Sequence, residues 1–114
     1  MILEDIISEF NLELVNEGNL KVKINAGVIG DLLSEVMRNG KENCIWITHQ
    51  THQNIIAVAE VIGAKAILIP ENLNYLPETL ERAKDMRINL LKTELSGFEI
   101  TGKIYKILKD NGSI

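Results

Sequence analysis

The spacing of apolar and polar positions changes period several times along the chain, and turn residues mark most of the changes. Leu3, Ile6, Ile7 and Phe10 fall at helical spacing, which predicts a short amphipathic helix over about 3–10. Leu12 and Leu14 then alternate with polar neighbours as far as the turn cluster Asn16-Glu17-Gly18-Asn19. Leu20, Val22 and Ile24 alternate with Lys21 and Lys23, predicting a strand with one wet face, and Val28-Ile29 prolong the extended stretch to Gly30-Asp31. Leu32, Leu33, Val36 and Met37 predict the next helix, with Asp31 as its N-cap and Asn39-Gly40 as a left-handed stop.

Beyond this point the pattern becomes regular. Cys44-Ile45-Trp46-Ile47, Ala66-Ile67-Leu68-Ile69 and Ile88-Asn89-Leu90-Leu91 are short, almost wholly apolar runs. Between them lie a predicted helix over 52–63, stopped by Gly63, and one that opens at Pro77 and carries Leu80, Ala83 and Met86. A last helix is predicted over 96–109, with Phe98, Thr101, Tyr105 and Leu108 on one face. Strands buried on both sides have no reason to alternate, and strands separated by helices form right-handed βαβ units. The predicted architecture is α/β: a single domain over 1–114, a parallel-sheet sandwich with helices on the sheet faces. The segment before Cys44 is expected to add a strand at an edge or beside the first parallel strand.

Composition narrows the function classes. The chain has 114 residues, 46% of them hydrophobic, enough for one core. A single cysteine, Cys44, excludes an internal disulfide and any cysteine-cluster zinc site. A formal charge of −4 argues against a nucleic-acid partner, because neutralising phosphates needs clustered Lys and Arg. The acidic start, Met1-Ile2-Leu3-Glu4-Asp5, is unlike a signal peptide, and no apolar run is long enough to span a membrane. The expectation is a soluble, cytoplasmic chain with no membrane contact.

In an open parallel sheet, ligands bind beyond the carboxyl ends of the strands, where loops and helix N-termini converge. The candidate ligand-binding residues are therefore Asp31, then Thr48, His49, Gln50, Thr51 and His52, then Asn72 and Ser96. Thr51 is the expected cap of the helix that follows. His49 and His52 form H-x-x-H, but the pair straddles a strand-to-helix turn, and no spacing demands the third ligand, which would have to come from Asp31, Glu71 or Glu94, so no metal site is read. Glu71 and Glu94 end neighbouring strands and resemble a carboxylate pair, although loop carboxylates are usually only solvated. Gly97-Phe98-Glu99-Ile100-Thr101-Gly102-Lys103 matches G-x-x-x-x-G-K, the phosphate-cradling loop. Ile104 stands where the magnesium-binding hydroxyl belongs, and helical periodicity runs through the match, so the segment reads as an ordinary helix. No catalytic residue is assigned.

Three segments resemble the DRTGG-domain family of small proteins: Gly27-Val28-Ile29-Gly30-Asp31-Leu32-Leu33-Ser34, Trp46-Ile47-Thr48-His49-Gln50-Thr51-His52-Gln53-Asn54, and Leu95-Ser96-Gly97-Phe98-Glu99-Ile100-Thr101-Gly102. The likeness covers about residues 20–108. It implies a stand-alone α/β domain similar to the N-terminal domain of HPr kinase/phosphorylase, without that enzyme's kinase domain. It also implies a regulatory rather than catalytic role, with an adenine nucleotide as the ligand class its relatives suggest and no resident cofactor. Where relatives carry Gly-Asp-Arg this chain has Gln50-Thr51-His52, and where they carry Thr-Gly-Gly it has Pro70-Glu71-Asn72. The lost arginine removes a bidentate phosphate contact. The leading expectation is a non-catalytic domain that senses a small ligand or docks on a protein partner. The alternatives are a homo-oligomeric interaction module without ligand, a two-fold dimer being the commonest form, and an HPr-type kinase, which the incomplete phosphate loop disfavours.

Overall fold

A computed structural model describes all residues, Met1–Ile114. Its elements run α1 (Leu3–Glu9), β1 (Glu13–Asn16), β2 (Ala26–Ile29), α2 (Leu33–Asn39), β3 (Cys44–Ile47), α3 (Asn54–Ile62), β4 (Ala66–Ile69), α4 (Pro77–Met86), β5 (Asn89–Lys92) and α5 (Gly97–Asp110). The five strands form one sheet in the order β1-β5-β4-β3-β2. The four strands β2 to β5 are parallel, and β1 closes the far edge antiparallel to β5. The expected α/β sandwich is what forms, and the N-terminal segment supplies both an edge strand and a neighbour for β3.

The unbroken apolar runs explain the layering. Alternate residues of each strand enter opposite cores. Cys44, Trp46, Ile67, Ile69 and Leu90 pack under α2, α3 and α4, while Ile45, Ile47, Ala66, Leu68 and Leu91 pack under α1 and α5. Helix α3 stops where Gly63 takes a left-handed φ of 76°. Pro77 occupies the first turn of α4, as its missing amide and fixed φ allow.

Four local readings of the sequence are corrected. Residues 20–24 form no ladder strand. They pass across the sheet's amino end, bonded to the start of α1 (Leu3 N to Val22 O 2.9 Å, Ile24 N to Met1 O 2.8 Å), with Ile24 in the core. Gly40 is extended at φ −65°, not left-handed. It is a glycine because a Cβ there would lie 2.6 Å from Ile62 Cδ1 and 2.8 Å from the Val36 carbonyl. Thr51 and Asp31 cap nothing: α2 and α3 start without a side-chain cap, at Leu32 and Gln53. Helix α5 buries Ile100, Ile104 and Leu108, whereas Phe98 and Tyr105 are exposed.

At the sheet's amino end the buried Asn89 side chain ties three segments together. Its Oδ1 accepts from the Gly18 amide at 2.6 Å, and its Nδ2 donates to the Asn19 and Lys65 carbonyls, both at 2.9 Å.

Candidate functional site

All four parallel strands end on one edge, and the chain leaves each through a short loop. Asp31 follows β2, Thr48–Gln50 follow β3, Glu71 and Asn72 follow β4, and Thr93–Leu95 follow β5. Backbone bonds join the last two loops: Glu71 N donates to Leu95 O at 2.8 Å and Asn72 N to Thr93 O at 2.9 Å. The strand-end loops that the sequence placed on this edge do lie together.

His49 is the hub of this edge. Its Nδ1 lies 3.2 Å from Asp31 Oδ2 and its Nε2 lies 2.5 Å from Glu71 Oε2. Ionised carboxylates only accept hydrogen bonds, so satisfying both requires two ring N–H groups, which is the imidazolium. The bond to Glu71 and the charge of Asp31 accordingly hold the His49 pKa above its ordinary 6.5, against a smaller opposing effect of burial. Asp31 is fixed in turn. Its Oδ1 accepts from the His49 amide at 2.7 Å and from the buried Thr48 hydroxyl at 3.0 Å. Burial pushes its pKa up, but these bonds and His49 outweigh burial, and the net shift is downward from 3.8. Gln50 Nε2 reaches the Asp31 carbonyl at 3.1 Å. The carboxylate expected to cap α2 instead clamps the loop after β3.

While His49 donates from both nitrogens it has no free lone pair with which to act as a base or a metal ligand. The cluster is an ion-paired clamp across three loops. Gly97, at the start of α5, lies beside the ring, and a Cβ there would touch His49 Cε1 at 3.4 Å, an ordinary contact. Ser96 spends its Oγ on capping α5, accepting from Glu99 N at 3.1 Å. The Gly97–Lys103 match to a phosphate loop lies wholly in the first turns of that helix.

The remaining candidates sit apart from the clamp. His52 is exposed and makes no side-chain hydrogen bond within the chain. Thr51 contributes its carbonyl, which accepts from the Thr79 hydroxyl at 2.7 Å and anchors α4. Asn72 borders a cleft of about 570 Å³ with Asn11, Glu13, Lys92, Thr93 and Glu94. Sequence reasoning missed Lys92. It is only 9% exposed, and its ammonium donates to the neutral Asn74 Oδ1 at 2.6 Å, with no carboxylate within 4 Å. A lysine closing an apolar strand was the available signal. Glu71, weighed as a partner for Glu94 and as a third ligand beside the histidines, proves to be half of the clamp. Three of the five non-glycine residues with positive φ, Asn11, Glu71 and Asn72, lie at this cleft or beside it. Such conformations cost on the order of 1 kcal/mol or more each and tend to gather at ligand sites.

The architecture is a mixed α/β fold. It matches the crystal structure of the CBS and DRTGG domains of the regulatory region of Clostridium perfringens pyrophosphatase, complexed with the activator diadenosine tetraphosphate. The TM-score is 0.72 at 16% sequence identity. The match takes in 88% of this chain and 44% of that one, so this chain spans less than half of that regulatory region. No family model matches the sequence, and no curated protein matches it.

Proposed function

We propose that this chain is a non-catalytic regulatory module that senses an adenine nucleotide in the cleft at the carboxyl edge of its sheet. The observation that carries the reading is Lys92: a lysine only 9% exposed, whose part-buried ammonium has only an amide partner and borders a cleft edged by strained loops. Burying an ammonium is costly unless an anion joins it, and a phosphate group is such an anion. The structural neighbour is a regulatory region in complex with a nucleotide activator, which favours this ligand class over others. The clamp supports a sensing role. Glu71 and Asn72 are consecutive, so a ligand that moves Asn72 also moves the carboxylate that holds His49, and through His49 the loops after β2 and β3.

Calorimetric titration with AMP, ATP and diadenosine tetraphosphate tests the proposal. Wild type is expected to bind at least one of them, Lys92→Met to bind it roughly 10- to 100-fold more weakly, and His52→Ala to bind it as wild type does. Circular dichroism establishes that Lys92→Met is folded. No heat with any nucleotide, or unchanged affinity in folded Lys92→Met, would overturn the reading.

A further inference from the structure

The two carboxylates that hold His49 are not equivalent. Asp31 is tethered whatever the ring does: its Oδ1 accepts from the His49 amide and the Thr48 hydroxyl, and neither donor titrates near neutrality. The Gln50 side chain, bonded to the Asp31 carbonyl, fixes the same loop. Glu71 has no such tether. Its carboxylate meets only His49 Nε2, and its side chain is already 54% exposed, so leaving the ring returns it to water at little cost. Its backbone, by contrast, is held under tension. Glu71 and Asn72 sit at φ of 60° and 56°, conformations that persist only while their surroundings enforce them. Two amide bonds to the loop after β5 and the Glu71–His49 contact are what enforce them.

A neutral imidazole has one N–H and one lone pair, and the partner it cannot lose decides which nitrogen keeps the proton. Were Nδ1 to lose it, the new lone pair would remain against Asp31 Oδ2, 3.2 Å away on a residue that cannot withdraw. Were Nε2 to lose it, Glu71 would swing clear and the repulsion would vanish. We infer that the clamp is a proton-operated latch with one moving arm: deprotonation leaves His49 as the Nδ1–H tautomer on Asp31 and releases Glu71, loosening the loop after β4.

The charges that act on the ring are Asp31, from the loop after β2, and Glu71, from the loop after β4; α5 presents the uncharged Gly97 to it. Both carboxylates raise the His49 pKa above 6.5, so the latch is more than half shut at pH 6.5 and opens as pH rises through the folded value. This device stands apart from the nucleotide reading, because it needs no ligand.

Long-range proton–nitrogen correlation NMR of the two histidine rings, from about pH 5 to about pH 9, tests the inference on the protein alone. Above its pKa, His49 is expected as the Nδ1–H tautomer, with the exposed His52 serving as the free-ring reference. Protection of the Glu71 and Asn72 amides against hydrogen exchange should fall about fivefold through the same titration. Glu71→Gln, whose side-chain amide can accept from an N–H or donate to a lone pair, should keep that protection constant. A neutral His49 in the Nε2–H form, a ring still charged at about pH 9, wild-type protection that ignores the titration, or the same fall in Glu71→Gln would overturn it.

Discussion

The Tyr75 hydroxyl offers a sharp test of how the loop after β4 is held. Tyr75 is 6% exposed, and its oxygen lies 2.7 Å from the Leu91 carbonyl and 3.1 Å from the Ile67 carbonyl. One O–H proton therefore bonds the loop to the backbone of β5, with β4 sharing it. Burial drives the Tyr75 pKa far above its ordinary value, so the group remains a donor at every pH the protein survives. Tyr75→Phe deletes this donor and little else, because the ring keeps its place among Ile69, Ala83 and Leu90 in the helical-side core. A buried hydrogen bond is worth about 1 kcal/mol net, and leaving its acceptor unpaired adds to the cost, so the expected loss is about 1.5 kcal/mol. For a domain of this size that lowers the melting temperature by about 5–8 °C. Urea unfolding followed by circular dichroism should show a lower midpoint at an unchanged slope. A loss below about 0.3 kcal/mol would refute the reasoning, since it would mean the hydroxyl finds equivalent partners in water.

Two further outcomes concern the clamp and a packed glycine. An NMR titration should find the His49 pKa above 6.5 in wild type and lower in Glu71→Gln, since Glu71 is the largest cause of the shift. The sign follows: the stabilisation that His49 draws from its carboxylates is full below 6.5 and fades as pH rises through the folded value, while that of Asp31 is full above 3.8 and fades as pH falls through its own lowered value. An unshifted His49 would dissolve the clamp. Gly40→Ala forces a methyl against Ile62 and the Val36 carbonyl and should cost about 1–3 kcal/mol by thermal unfolding, whereas a neutral result would show that α2 gives way freely.

How much of this was legible in the sequence depended on what kind of signal each residue sends. The runs at β3 and β4 needed no partner information, because a strand with no polar face can only be buried on both sides. Residues 20–24 misled for a related reason. Alternation reports which side chains are buried, and Ile24 is buried, but it does not report which backbone the segment bonds, and that proved to be the start of α1. At the site, the four rim loops could be assigned from strand ends alone. Which amide Asp31 accepts from could not: its neighbours in sequence offered a cap, while the His49 amide 18 residues away offered a better-placed donor. The same limit hid Glu71, whose role exists only because β4 lies beside β3. On α5, Phe98 and Tyr105 follow the helical period as faithfully as Ile100 and Ile104 do, and only the sheet decides which stripe is covered.

The Asn89 amide has a consequence for how the chain avoids wrong structures. Sliding β5 by two residues along β4 would keep every side chain on its proper face, so the cores alone penalise that error weakly. Such a decoy would carry Asn89 away from Gly18, Asn19 and Lys65 and set Leu91 in its place, abandoning three part-buried hydrogen bonds at once. A single polar side chain inside an oily sheet thereby acts as an indexing pin, discriminating the native alignment from its nearest competitor where greasy contacts cannot.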